Sequence, residues 1–524
     1  MPSESAIRDA HTALTRFGLG PRPGECAAIA SDPRGFVLAQ CGRPQAALIT
    51  AAGLLPTPEN MALNLKDRRE RRVARKLENE QIEAAKAAAK ASGGGDMADP
   101  DMAGGDMAAG DMAGDGMAGG DMAGADMAGD LAAVDDGTVK RDGADRPERL
   151  RQPGFSPTTV RREAAARFDH GLAATDGLTE RLVLFWSNHF AVSAAKGGSV
   201  PSMVGSYERE AIRPHVYGRF RDLLEATVKH PAMLVYLDNW KSVGPNSRIG
   251  ARKGIGLNEN LAREVLELHT LGVDGGYTQA DVTSFAKVLT GWTIDRNGGR
   301  VEGTGAIFLP RRHEPGDFTV LGKVYGQKGP KQLDAVLDDL ARHPATARHI
   351  ARKLTRHFVG DGAPTEIAEA VARAFLDSDG DLAATTKALV SSDAAWATPP
   401  AKIRDPYLFT MASFRVLSLT TDAENEKAAF NMMNALGQKI WTPPSPAGWP
   451  DADDAWLAGD ALLERLDFAT VVARRIDPEL DVPGLAADAL GPRYDQPTRE
   501  AVTRAESREQ AVSLMLLSPG FQRI

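Results

Sequence analysis

Between residues 146 and 524 the apolar positions recur mostly at helical spacing and seldom in strand alternation. Segment 179–192, TERLVLFWSNHFAV, carries apolar side chains around most of a helical circumference, which predicts a deeply packed helix. Residues 208–238 predict two helices with breaks near Pro214 and Pro231, since proline lacks the main-chain donor a helix interior needs. Asn258 suits the N-cap of the next helix and Gly272 its stop. Thr278, followed three residues later by Asp281, resembles a capping box and opens a helix running to Thr290. Residues 305–325 break this pattern and predict two short strands around a Pro-Gly turn. Helices are then expected at 331–342, 344–359, 364–376, 381–391, 401–419, 424–437, 455–474 and 497–517. The fold expected is mainly α: a multi-helix, orthogonal or bundle-like domain with a short β-hairpin and a long disordered insertion.

That insertion is visible in the pattern itself. Residues 65–92 read as a long charged helix of strong helix formers, basic in its first half through Lys66, Arg68, Arg69, Arg71, Arg72, Arg75 and Lys76. A pentapeptide repeat of the form DMAGG follows, with methionine at 97, 102, 107, 112, 117, 122 and 127. A period of five matches neither helix nor strand, so no apolar face forms and a disordered acidic linker is expected. Thioethers also suit Cu(I), so copper at the repeat is a second, weaker expectation. The chain thus divides into a helical part at 1–91, the insertion at 92–145 and the main helical part of the same domain at 146–524.

Composition excludes several classes. With 524 residues, 43% of them hydrophobic, the chain is long enough for one large core or two smaller ones. A net charge of −8 argues against a general nucleic-acid binder. Two cysteines, Cys26 and Cys41, do not define a disulfide scaffold. No apolar run approaches the ~18–20 residues a transmembrane helix requires. The first residues lack the basic start and apolar stretch of a signal peptide, so a cytoplasmic location is expected.

The richest chemistry lies in 258–292, NENLAREVLELHTLGVDGGYTQADVTSFAKVLTGW. Glu264, Glu267 and His269 stand among leucines and valines, where charged or polar groups are costly unless paired. At about 100° per residue, Glu264 and Glu267 reach one site while His269 projects about 140° from Glu264. His269 also sits near the Gly272 stop, where a cation caps helix carbonyls well. His189 lies in the apolar 179–192 helix and His313 at the tip of the expected hairpin. If His189, His269 and His313 converge with Glu264 or Glu267, imidazole and carboxylate ligands suit Zn, Fe or Mn. Such an ion generates hydroxide, and the spare glutamate serves as general base. Arg263, Arg352, Trp292 and Trp449 are the candidate substrate-binding residues. The structural competitor is a buried ion-pair network in which Arg263, or Arg348, Arg352, Lys353 and Arg356, neutralises these glutamates. No phosphate-binding GxxxxGK[ST] loop or GxSxG elbow occurs. DSDGDL at 377–382 resembles a calcium loop only loosely and reads as a helix cap.

The motif NENLAREVLELHTLGVDGGYTQADV with its following LTGW resembles the signature of the domain-of-unknown-function 1800 family. RFGLGPRPGE at 16–25, LFWSNHFAVS at 184–193, the segment around His313 and GQKIWTPPSPAGWP at 437–450 fit the same family, with Val265 at a usual leucine. The resemblance implies a largely helical bacterial protein of a kind often exported, and often encoded beside a sulfatase-like family. It carries no established activity. Two functions therefore remain open: a metal-dependent enzyme, hydrolase or oxidoreductase, and a non-catalytic scaffold acting with a sulfatase-like partner.

Overall fold

The structure, a computed structural model, describes residues 3–92, 148–254, 256–295, 303–457 and 459–524. The methionine repeat, with its expected disorder and copper, lies outside the described residues. The described residues are mainly helical, with two small two-stranded sheets. Contacts divide the chain into two units, Leu65–Phe155 and the combination of Met1–Asn64 with Ser156–Ile524. In the smaller unit, Asp67 on the long charged helix accepts hydrogen bonds from Arg71 at 3.1 Å and from the Phe155 main-chain nitrogen at 3.1 Å, and it pairs with Arg149.

The larger unit holds two apolar cores. One gathers Trp186, Phe190, Phe220, Phe285, Phe358 and Phe375; the other gathers Phe168, Phe409, Phe414, Phe468 and Met515. Each such side chain fully buried contributes about 1.5–3 kcal/mol against the entropy of ordering it. The 179–192 expectation is met by the helix Gly177–His189, in which Leu182, Val183, Phe185, Trp186 and His189 are all buried. The Thr278–Asp281 capping box forms and starts the helix Gln279–Leu289. Asn258 accepts a hydrogen bond from the Asn260 nitrogen at 2.9 Å, but the N-cap of helix Asn260–Glu264 is Glu259, one residue later than expected.

Two local departures matter. Residues 305–325 do not make one hairpin. Ala306–Phe308 pairs backward with Trp292–Ile294, while Phe318–Val320 pairs with Lys323–Tyr325. Residues Val265–Thr270 form a π-turn instead of continuing the α-helix, marked by the Leu271 nitrogen donating to the Leu266 oxygen at 3.0 Å. A second π-turn spans Glu208–Ile212. Such turns are uncommon and concentrate near functional sites.

A buried ionic network does exist, away from Glu264. Arg213, fully buried, bridges Glu180 at 2.8 Å and Glu208 at 3.0 Å, and Arg167 reaches Glu208 at 3.1 Å. Burial opposes ionisation of Glu180, yet Arg213 and His170 hold its carboxyl down at about 2. Both cysteines are free thiols, and burial pushes Cys26 up to about 12 and Cys41 to about 11. No helix among the described residues is long and apolar enough to cross a membrane.

Candidate functional site

Four pieces of chain meet around one group of imidazoles: the end of helix Gly177–His189, the π-turn Val265–Thr270, the helix Pro344–Phe358 and the proline-rich loop at 442–450. Helix Pro344–Phe358 starts on Pro344 behind His343, whose ring accepts from the Ala345 nitrogen at 3.1 Å. Its residues His349, Lys353 and His357 fall four apart and therefore share one face. His349 and Lys353 are half-buried, while His189 and His269 lie fully buried beneath them.

The ring centroid of His189 stands 6.0 Å from those of both His269 and His349. His189 places its Nε2 3.0 Å from the His269 carbonyl oxygen, and His349 places its Nε2 3.0 Å from that of Leu268. These carbonyls belong to the last turn before Gly272, where helical carbonyls lack main-chain partners. A carbonyl only accepts, so each Nε2 carries the proton and each neutral ring keeps its lone pair on Nδ1. The His189 Nδ1 is buried without a hydrogen-bond partner among the described residues, as are both nitrogens of His269. Gly272, at φ 87°, permits the approach: a Cβ there would stand 2.9 Å from the His349 Nδ1.

Lys353 sets the charge of this place. No hydrogen bond or ion pair reaches it among the described residues, and burial pushes its ammonium down to about 8 although Asp451 pulls the other way. Burial and then Lys353 lower His269 to about 3 and His349 to about 4, and hold His189 well below its ordinary value. All three rings are therefore neutral near pH 7. Burial works against the Asp451 carboxylate, yet His357 at 3.4 Å and Lys402 at 2.8 Å hold it well below the usual range.

The proline-rich loop closes one side. Asn188 donates to the Trp449 oxygen at 3.0 Å and accepts from the Trp449 nitrogen at 2.6 Å, so the loop is fastened next to His189. Gly448 sits at φ 87°, and a Cβ there would lie 2.4 Å from the Asn188 oxygen. Trp449 packs against Trp456 with ring centroids 6.0 Å apart.

Of the expected metal ligands, His189 and His269 are brought together, and His313 is placed elsewhere. Its Nδ1 lies 2.8 Å from the Thr290 oxygen and its ring packs on Phe308, where Trp292 also packs. The pairing of Trp292–Ile294 with Ala306–Phe308 turns the following loop to that side. Among the described residues no group of three or more His, Cys, Asp or Glu is arranged to share a metal ion. Glu264, the last residue of helix Asn260–Glu264, and Glu267, in the π-turn, are half-buried, while His269 is wholly buried. Burial and Glu267 raise the Glu264 carboxyl, and no hydrogen bond or ion pair reaches it among the described residues. Glu267 accepts from the Tyr277 hydroxyl at 2.8 Å. Arg263 pairs with Glu259 at 3.4 Å and bonds Gln279, and its charge offsets the raised Glu264 carboxyl only in part. Arg352 is exposed beside the site, and Trp449 borders it.

The family described as protein of unknown function DUF1800 matches residues 12–523, and the chain belongs to it. No curated protein and no solved structure matches the chain.

Proposed function

We propose that this chain is an enzyme, a hydrolase of an anionic substrate, with its centre at Lys353 and the imidazoles of His189, His269 and His349. The observation that carries this reading is Lys353 itself: a half-buried amine that no hydrogen bond or ion pair reaches among the described residues, drawn upon only by the charge of Asp451 and set among three neutral rings. Structural lysines are exposed or paired, because an uncompensated charge costs stability. A site that keeps one open has a use for it, and an anionic group is the natural partner. The His349 Nδ1, at the half-buried rim, is the base that accepts a proton from water. The Lys353 ammonium holds the anion and offsets negative charge developing on the attacked group. Trp449 supplies an apolar wall. The test is hydrolysis of a panel of phosphate, sulfate and carboxylate esters by the purified protein. Turnover that falls at least about 100-fold in both Lys353→Met and His349→Asn, with unchanged circular dichroism, supports the reading. Turnover retained by both variants defeats it.

A metal-dependent hydrolase or oxidoreductase is the second reading, with Zn, Fe or Mn held by His189, His269 and His349 only after these rings shift, since no three ligands are arranged to share an ion among the described residues, and with Glu264 as base. The pinning of His189 and His349 through Nε2 to carbonyls favours it, because metal-binding imidazoles usually make that outer hydrogen bond. The Lys353 charge opposes a divalent ion, which places this reading second. Elemental analysis separates the two: about one transition metal per chain selects the metal reading.

A further inference from the structure

The helix Gly459–Ala473 is apolar on two opposite sides. Its inner side buries Phe468, Ala469, Val472 and Ala473 in the second core, where Phe468 packs on Phe409 and Phe414 with ring centroids 5.8 and 6.5 Å away. At about 100° per residue, Leu462, Leu463 and Leu466 lie about 120–160° around the axis from Phe468. They are 59%, 64% and 41% exposed. Leu457, just before the helix, and Val471, near its end, are exposed as well. These five are nearly half of the eleven large apolar side chains exposed among the described residues, so they form a patch and not the usual scatter of single positions. A helix apolar on both sides belongs between two packed surfaces, and the described residues supply only one.

The charges beside this patch are sorted by end. Asp460 stands in the first turn and Arg474 directly after the last, both exposed and without a hydrogen bond or ion pair among the described residues. The charge of Arg474 reaches Glu509, but no ion pair forms. Asp460 and Arg474 share one flank of the helix, about 40° apart around the axis. An acid at one end and a base at the other complement a second, antiparallel copy of the same helix, because a two-fold axis sets each Asp460 against the other copy's Arg474. We infer that helix Gly459–Ala473 is the centre of a symmetric dimer, packed antiparallel on the same helix of a second copy of this chain. The axis passes near Asp467, so Leu463 meets Val471 of the second copy and Leu466 lies beside its own counterpart. Asp467 faces its counterpart on the wet flank and is the one mismatch. A lipid surface fits worse, since helices lying on anionic membranes carry Lys and Arg along the polar side, where this one has Asp460 and Asp467. A face about 22 Å long and about 10 Å wide covers a few hundred Å², less than the roughly 800 Å² per partner of a standard interface. The dimer is therefore weak, dissociating at roughly 10–100 µM. The helix supplies no residue to the imidazole cluster, so the inference does not depend on the hydrolase reading.

The test is sedimentation velocity of the full chain from roughly 1 to 300 µM at low salt, where charge pairs are least screened. The wild type is expected to show a reversible monomer–dimer equilibrium. Leu463→Glu combined with Leu466→Glu changes only exposed positions, so the fold persists while dimer affinity falls at least about tenfold. Asp460→Arg alone and Arg474→Asp alone should each weaken the dimer about fivefold, and the two together should restore it to within about twofold of the wild type. Asp467→Asn should tighten it. A wild type that stays monomeric up to roughly 300 µM overturns the inference and leaves the face to a different partner or to another part of this chain. A dimer indifferent to the leucine variant, or one that the double charge exchange does not restore, overturns it equally.

Discussion

His349 and Leu268 are joined by a 3.0 Å hydrogen bond from the imidazole Nε2 to a main-chain oxygen. The bond fixes the tautomer, and the fixed tautomer defines the chemistry of the site. Nitrogen-detected NMR of labelled protein should show His349 and His189 as neutral rings protonated at Nε2 from pH 5 to 8, since burial and Lys353 hold both well below the ordinary histidine value. Imidazolium signals for either ring at pH 6 would be inconsistent with the geometry.

Lys353 should weaken the fold at neutral pH. Its amine is lowered from 10.5 to about 8 in the folded chain, so unfolding takes up a proton between those values. Stability then falls as pH drops from 10.5 to 8 and stays lowered below 8. Lys353→Met is expected to stabilise the protein at pH 7 by about 1–3 kcal/mol, with the gain vanishing toward pH 10.5. Urea melts at the two pH values check this.

Glu180 behaves in the opposite sense. Its folded value of about 2 lies below the ordinary 4.5, so its contribution is complete above 4.5 and is lost as pH falls toward 2. Glu180→Gln leaves Arg213 with one carboxylate fewer in a fully buried setting and should cost about 3–5 kcal/mol at pH 7. The variant's melts should also lose part of the wild-type steepness between pH 4.5 and 2.

Gly448→Ala tests the fastening of the proline-rich loop. The left-handed backbone and the clash with Asn188 together should cost about 1–3 kcal/mol or displace the loop. Tryptophan fluorescence is the readout, because Trp449 follows directly and packs on Trp456. An unchanged spectrum and unchanged stability would show that the loop does not depend on this contact.

Much of the helical framework was legible in the sequence, because capping residues such as Thr278 and prolines such as Pro344 act locally. Two of the three clustered imidazoles were legible too: His189 and His269 stand out as polar groups in apolar segments. The π-turn was not, since a 3.6-residue period assumes unbroken α-geometry, and that assumption governed where His269 was expected relative to Glu264. His313 misled because the strand pairing of Ala306–Phe308 is set by a distant partner, Trp292–Ile294, and not by the nearby Pro-Gly turn. His349, Lys353 and His357 carried a signal in RHIARKLTRH, a titratable residue every fourth position on the face that also holds Ile350 and Leu354. The interleaved Arg348, Arg352 and Arg356 obscured it by making the segment read as a basic surface.

The titration of Lys353 bears most directly on this account. Competitive labelling of the native protein with a trace amine-reactive reagent, read by mass spectrometry across pH 6–11, gives the midpoint for each lysine. Lys353 should titrate near 8 while exposed lysines titrate near 10.4. A midpoint for Lys353 at the ordinary value would mean that its charge is already answered by an unseen partner or by solvent, and the proposed centre would lose its foundation.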